Sequence, residues 1–201
     1  MARPPYSAIS SASRIEILRL LQSGPQCTLA ELCEGTGLHA NTVREHLQRL
    51  VDAGYAVAAT EHRTTRGRPR VLYSAATGAA ASSPVARRKV RDAAARGDLM
   101  RRIMPDTAGG DLSTDAVHQL DALVDDLAEA GFDPVVDAAA LTLDLTPCHH
   151  ATAQAEHRDV LCRVHLGVMQ GVLTEAGGPL AIDGMLTGCD PTVCVVQLAN
   201  R

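Results

Sequence analysis

Aromatic side chains are nearly absent from this chain of 201 residues, which has one Phe, three Tyr and no Trp. Because 46% of the residues are hydrophobic, the chain can still bury a core, and that core must be aliphatic. Two kinds of apolar segment are missing as well. No run approaches the roughly 18 apolar residues that a membrane span requires, and residues 1–6 lack a basic region followed by an apolar stretch. We therefore expect a cytoplasmic protein with no membrane partner.

Disulfide bonds are not expected either, although the chain has six cysteines. Thiols are kept reduced in the cytoplasm, so cysteines there serve as metal ligands, redox groups or core residues. Cys27 and Cys33 lie in the N-terminal part with no partner pattern, and we assign both to packing. The other four, at positions 148, 162, 189 and 194, need a separate explanation.

The net charge of −4 conceals a sharp division between the two halves. Residues 1–105 carry 16 Arg and Lys against 8 Asp and Glu, whereas residues 106–201 carry 3 against 15. Such asymmetry indicates a nucleic-acid-binding half joined to a half with another role. Residues 105–110 have the Pro and Gly content of a linker between them.

Three helices are predicted in the N-terminal part, over residues 11–21, 28–34 and 39–53. Thr28 and Glu31 have the spacing of a capping box, and glycines at residues 35–37 end the second helix. The third helix is amphipathic, with an outer polar face. Two short helices joined by such a turn are typical of a helix-turn-helix. We expect DNA contacts from the third helix at Asn41, Thr42, Arg44, Glu45 and Gln48.

A basic hairpin is predicted after the third helix. Residues 55–59 can form a strand, residues 63–70 an arginine-rich loop and residues 71–73 the returning strand. This order is typical of a wing, whose cations contact phosphate or enter a minor groove. A solvated basic loop beside a three-helix core is the alternative. The wing residues expected to contact DNA are Arg63, Arg66, Arg68 and Arg70.

Residues 45–55, EHLQRLVDAGY, and residues 66–73, RGRPRVLY, resemble the winged-helix regulators of the ArsR-like class. The resemblance covers about the first 75 residues. It implies a winged helix-turn-helix that binds double-stranded DNA. A homodimer is expected, since two-fold operators need two recognition helices.

Two helices of opposite charge are predicted between the DNA-binding part and the cysteines. The first, over residues 83–104, is rich in arginine, and the second, over residues 114–130, is acidic. The acidic helix carries a coiled-coil-like seam that could join two subunits, although core packing within one chain would explain it equally well. The seam residues are Val117, Leu120, Val124 and Leu127.

Strands and one helix alternate in the C-terminal part. Strands are predicted over residues 140–145, 180–186 and 193–198, and a helix over residues 157–173. The expected fold is therefore α+β throughout. It comprises a winged helix-turn-helix in residues 1–80, a helical linker and dimerisation region in residues 81–130, and a cysteine-rich, metal-binding sensor domain in residues 131–201.

Two thiols and four imidazoles are concentrated in residues 147–165, and two further thiols follow. Thiolate and imidazole are the soft ligands of zinc, copper and iron-sulfur clusters. The four cysteines are separated by 13, 26 and 4 residues, which does not match the close pairs of a zinc finger. Three separate elements would therefore have to converge on one site. Taken alone, the cysteine at position 194 would be assigned to the core of a strand.

Four segments of this half resemble the sensor domain of the SufR-like iron-sulfur transcriptional regulators. They are residues 131–134 (GFDP), 143–148 (LDLTPC), 157–171 (HRDVLCRVHLGVMQG) and 194–198 (CVVQL). The resemblance implies that Cys148, Cys162 and Cys194 are cluster ligands. The chain departs from the family at residues 149–150, where His-His replaces Pro and an aromatic residue. The fourth ligand is not given by the match, and we place it at Cys189, with His165 and His157 as rivals.

The sequence thus predicts a DNA-binding transcriptional regulator that senses redox state, nitric oxide or iron-sulfur supply. The expected cofactor is an iron-sulfur cluster, [4Fe-4S] in the first place, with zinc as the alternative. A thiol-based regulator without a cluster is a further alternative. An enzyme that uses Cys162 with His165 or His157 is a remote one, because no third orienting group is evident. We do not expect an enzyme.

Overall fold

The computed structural model describes residues 8–9, 11–61, 69–76, 84–103, 112–148, 150–151, 153, 155–186 and 190–201. These residues form a mixed α+β fold, as predicted. The helices are α1 (Ala12–Ser23), α2 (Leu29–Thr36), α3 (Ala40–Asp52), α4 (Pro84–Ile103), α5 (Thr114–Glu129) and α6 (Ala155–Ala176), and the strands are β1 (Cys27–Thr28), β2 (Ala56–Thr60), β3 (Val71–Ala75), β4 (Val135–Asp137), β5 (Thr142–Asp144), β6 (Leu180–Leu186) and β7 (Val195–Asn200).

The first three helices and an antiparallel sheet of order β1-β3-β2 form a winged helix-turn-helix. The predicted capping box is present, because Thr28 accepts a hydrogen bond from the Glu31 N–H and the Glu31 side chain accepts one from the Thr28 N–H. Gly37 ends α2 at a φ of 67°, a left-handed conformation that favours glycine. Strand β1 was not predicted, since two residues are too short to show alternation.

Helix α5 packs inside the chain, against α4 and α6. Of the predicted seam, Leu120 and Leu127 are buried, whereas Val117 and Val124 are only half-buried. The stripe is rotated toward Ala116 and Leu123 because α5 has packing partners on two sides. The intramolecular alternative therefore accounts for the seam as far as the structure describes it, and dimerisation stays a prediction.

Opposite charges also hold α4 against α5. Arg96 of α4 binds both Asp125 and Glu129 of α5, with an Nη2–Oε1 distance of 3.0 Å to Glu129. His118 of α5 lies 3.0 Å from the Asp98 carboxylate of α4, measured from Nδ1 to Oδ1. Arg96 is thus engaged within the chain.

The C-terminal sheet is antiparallel, with strand order β4-β5-β7-β6. Its inner face and helices α4, α5 and α6 enclose one hydrophobic core, which includes Phe132. Strand β4 was not predicted, because its three residues include the exposed Val135 and Asp137. The core contributions of the two central strands are Leu143, Val196 and Leu198.

Helix α6 belongs to two cores at once. Val160, Leu161 and Val164 are buried with the helices of the DNA-binding part. Met169 and Leu173 are buried with the C-terminal sheet. At 100° per residue these two sets lie on different faces of α6. The predicted domain boundaries stay a prediction, but the DNA-binding core includes side chains from residues 160–164.

Candidate functional site

Helix α3 presents one apolar and one polar face. Val43, Leu47 and Leu50 are buried against the other helices. His39 caps the N-terminus, because its Nδ1 accepts a hydrogen bond from the Asn41 N–H at 3.3 Å. Of the residues predicted to contact DNA, Asn41, Arg44, Glu45 and Gln48 are exposed and Thr42 is half-buried.

Hydrogen bonds along α3 orient this polar face. Arg44 Nη1 donates to Asn41 Oδ1 at 2.8 Å, and Gln48 Nε2 donates to Asp52 Oδ1 at 2.7 Å. Arg, Asn and Gln are the side chains that pair with guanine and adenine edges in the major groove. The arrangement can therefore offer both donors and acceptors to DNA from one helix face.

The wing strands β2 and β3 pair from Ala56 opposite Ala75 to Thr60 opposite Val71. The Glu61 N–H donates to the Arg70 carbonyl at 2.8 Å and continues the ladder toward the tip. Arg70 is exposed, as a phosphate contact requires. The other predicted wing residues, Arg63, Arg66 and Arg68, lie outside the described residues.

The ladder between β5 and β7 continues past the ends of both strands and brings Cys148 beside Cys194. The Leu145 N–H donates to the Cys194 carbonyl at 2.8 Å, and the Cys148 N–H donates to the Thr192 carbonyl at 2.7 Å. The Thr146 hydroxyl accepts from the Cys194 N–H at 3.3 Å. Backbone pairing therefore fixes two thiols that are far apart in the sequence.

Cys162 reaches the same place from α6. It lies one turn before Leu166 on the face of the helix that is turned toward the sheet. Together the three cysteines line one cavity of about 500 Å³. The remaining described lining residues include two cations and a methionine thioether, and they are Arg158, Asp159, Arg163, Leu166, Met185, Pro191 and Val193.

The three thiols influence one another's pKa. A hydrogen bond from Cys194, backbone N–H groups of the following turn and the charge of Arg158 lower the pKa of Cys148 to about 6, against the effect of burial. The same hydrogen bond, together with burial, raises the pKa of Cys194. Burial and then the charge of Cys148 raise the pKa of Cys162. Cys148 is thus the most readily ionised of the three thiols.

The fourth-ligand candidates fall into three situations. Cys189 lies outside the described residues, although Pro191, two positions after it, lines the cavity. His165 stacks on Phe132, with ring centroids 4.7 Å apart. His157 lies near the DNA-binding part, on the side of Glu16, whose pKa is lowered mainly by its hydrogen bond to Arg19. Neither histidine is among the described residues that line the cavity.

A cluster of three rings beside the cavity was missed by the sequence reasoning. His150 is buried, and its ring meets those of His165 and Phe132 edge to face, with centroids 5.8 Å and 6.3 Å apart. Adjacent histidines in a polar segment gave no signal of burial. Position 150 was nevertheless where the sequence departs from the iron-sulfur family, and the imidazole there packs as an aromatic ring would.

Cys27 and Cys33 are half-buried and pack against the DNA-binding core. Cys27 starts strand β1, and its thiol lies 3.7 Å from the Leu20 carbonyl oxygen. Burial raises the pKa of Cys27, which disfavours the reactive thiolate. The partial burial of Cys27 and Cys33 is consistent with the expectation that both serve in packing.

A family model described as a helix-turn-helix domain matches residues 9–54, the segment that holds α1, α2 and α3. These residues are a helix-turn-helix domain. The domain supports a DNA-binding transcriptional regulator rather than an enzyme. No curated protein matches the chain. Among the described helices, none is long and apolar enough to cross a membrane.

Proposed function

We propose that this DNA-binding regulator holds an iron-sulfur cluster on Cys148, Cys162 and Cys194 and uses it to sense redox state, nitric oxide or iron-sulfur supply. The observation that carries the proposal is the convergence of three cysteines from three elements on one cavity. Sequence separation gives no local reason for that convergence, so the fold itself brings the thiols together.

The cavity has room for a cluster. It is partly open to solvent and has a volume of about 500 Å³. Within the described ranges, no three His, Cys, Asp or Glu side chains lie close enough together to hold a metal ion. Ligands of a cluster bind different iron atoms, so they can stand further apart than the four ligands of one zinc ion. The wider spacing of the three cysteines is thus compatible with a cluster.

The charges around the cavity fit an anionic group. Thiolate-ligated clusters carry negative charge, and the described cavity lining has two cations, Arg158 and Arg163, against one carboxylate, Asp159. Their guanidinium groups would offset that charge and favour the ionised thiols. Met185 adds a soft sulfur, because its thioether lies 3.7 Å from Cys194 Sγ. A bound cluster would supply a redox-active centre whose charge and integrity respond to oxidants.

The fourth ligand remains a proposal at Cys189. Of the residues that follow it, Pro191 lines the cavity, and Asp190 stabilises the turn there by accepting from the Thr192 N–H at 2.8 Å. A chain segment that begins at the cavity wall can present Cys189 to it. Because His165 is engaged with Phe132, its use as a ligand would require the ring stack to open.

The cluster is tested by anaerobic purification followed by absorption spectroscopy and by iron, sulfide and zinc analysis. Cys148→Ser, Cys162→Ser and Cys194→Ser should each remove most of the bound iron, because each withdraws a ligand. Cys27→Ser and Cys33→Ser are the matched controls and should retain it. Full iron content in the Cys162→Ser protein would refute the site. Zinc without sulfide in the wild-type protein would favour the zinc alternative.

The DNA-binding surface comprises the outer face of α3 together with the wing, and we propose that two chains present two such surfaces to a two-fold operator. Arg44→Ala should relax sequence preference and cost about 1–3 kcal/mol if Arg44 pairs with a base. Arg70→Ala should weaken binding to all sequences alike and flatten the salt dependence by about one unit. Anisotropy titrations at several salt concentrations measure both effects, and unchanged binding by both variants would contradict this surface.

A thiol switch is the second candidate, and one observation favours it. Backbone pairing holds Cys148 beside Cys194, and the neighbouring Cys194 thiol is the largest influence that lowers the pKa of Cys148 to about 6. A thiolate beside a thiol is the arrangement from which a disulfide forms when an oxidant removes two electrons. A loss of two mass units on oxidation of the metal-free protein, mapped to these two cysteines, would support this candidate.

A further inference from the structure

Helix α6 carries Cys162 on one face and contacts the DNA-binding domain with the other. Leu161 and Val164, one residue before and two residues after Cys162, are 4% and 1% exposed and lie in the DNA-binding core. Cys162 itself lines the cavity. Because a helix moves as a rigid unit, a shift that adapts Cys162 to the cavity contents must also move these apolar contacts.

A hydrogen bond fixes the same contact. Gln22, in the last turn of α1, donates from Nε2 to the Val160 carbonyl at 3.1 Å. Gln22 Oε1 is buried, and no described residue donates a hydrogen bond to it. The Gln22 side chain thereby joins α1 to α6 through its Nε2.

Space for a shift lies directly beside the contact. A cleft of about 750 Å³ is lined by the end of α1, the loop that follows it and the end of β3, and one residue of α6, Arg163, also borders it. Arg163 also lines the cysteine cavity, so one residue of α6 borders both spaces. The two parts of the chain are therefore packed together at the apolar contacts and at Gln22, and a cleft lies next to this packed region.

A continuous packed route leads from this contact to the recognition helix. On α1, Ile17, Leu18 and Leu21 are buried in the same core as Leu161. Leu47 and Leu50 of α3 are buried there too. The polar outer face of α3 is fixed relative to its buried face, which holds Leu47 and Leu50. A displacement of α1 would therefore change the orientation of α3 relative to DNA.

We propose that the contact between α6 and α1, made by Gln22, Val160, Leu161 and Val164, couples the state of the cysteine cavity to DNA affinity. This inference rests on the proposed function for its physiological signal. The coupling itself can be tested without a cluster. Coupling is reciprocal, so if the state of the cavity alters DNA binding, DNA binding must also alter the state of the cavity.

The reciprocal direction gives a test that uses the full-length, metal-free, reduced protein. The alkylation rate of Cys162 by iodoacetamide is followed by peptide mass spectrometry, with and without a saturating random-sequence 30-bp duplex at low salt, where phosphate contacts support binding. The wild-type rate should change about 5-fold or more on DNA binding. In Gln22→Met and in Leu161→Ala, that change should fall to less than about 2-fold, while the affinity for the duplex stays within about 2-fold of wild type.

Gln26→Met is the matched control, because Gln26 lines the same cleft but is exposed and is not part of the contact. It should retain the wild-type response. An unchanged Cys162 rate in wild type, or a full response in both contact variants, would overturn the inference. Gln22→Met changes a single polar contact and so provides a folded variant if Leu161→Ala loses its structure. A wild-type protein that binds no iron but shows the response would refute the cluster while leaving the coupling intact.

Discussion

The side chain of Gln119 ties three elements together in the buried core, and its removal is the most direct test of the C-terminal fold. Gln119 is 1% exposed. Its Nε2 donates to the Leu173 and Leu180 carbonyls at 2.8 Å and 3.1 Å, and its Oε1 accepts from the Leu180 N–H at 2.6 Å. The amide thereby joins α5 to the end of α6 and to the start of β6.

Gln119→Leu keeps the volume of the side chain but withdraws all three hydrogen bonds. The Leu173 carbonyl keeps a partner, because it also accepts from the Gly177 N–H at 3.2 Å. The Leu180 N–H is left buried and without the Gln119 oxygen, which should cost about 1–3 kcal/mol of unfolding free energy. For a chain of this length, that corresponds to a fall in Tm of about 2–12 °C.

The assay is urea unfolding of the metal-free protein followed by circular dichroism, with thermal unfolding as a second measure. Gln26→Leu is the matched control, because Gln26 is exposed and the substitution should change stability by less than about 0.5 kcal/mol. Equal stability of Gln119→Leu and wild type would refute the reasoning, since it would mean that the hydrogen bonds of Leu180 are satisfied without this amide.

Two further predictions concern backbone strain and protonation. Gly178→Ala should destabilise the protein by about 1–3 kcal/mol, because its φ of 151° disfavours a side chain and a Cβ there would lie 2.6 Å from Gln119 Oε1. Gly24 has open space around it, so Gly24→Ala should not destabilise the protein. Equal thermal midpoints for the two variants would contradict this prediction. Burial, and then the charges of Arg14 and Arg49, lower the pKa of His46 below its usual 6.5, so the unfolded chain binds the proton more tightly. Stability should be full above pH 6.5 and fall as the pH drops through the folded pKa, and His46→Gln should flatten that slope in urea titrations.

Local patterns were enough to predict the helix-turn-helix and the capping box. Thr28 and Glu31 act through bonds between near neighbours, so residues 28–31 contain the whole interaction. The same holds for the apolar face of α3, whose period follows from helix geometry alone. Strands β1 and β4 were missed because their hydrogen-bond partners come from elsewhere in the chain, and two or three residues have no period.

The candidate site could be predicted only in part, for a related reason. The sequence resemblance named Cys148, Cys162 and Cys194, but their proximity depends on the β5–β7 register and on the position of α6. The roles of Gln119 and His150 had no sequence signal, because polar side chains are usually exposed and their burial depends on partners that only the fold supplies.

The division of charge between the halves of the sequence would suggest two domains that fold independently. The packing of α6 argues against this, because α6 contributes side chains to both cores. A helix that is apolar on more than one face must be covered on more than one side. Val160, Leu161 and Val164 are covered by the DNA-binding core, so the free energy of their burial stabilises both parts of the chain together. Cys162 lies among these residues in the sequence and faces the cavity. Any group that binds the three cysteines therefore stabilises, through α6, the packing on which the orientation of α3 depends.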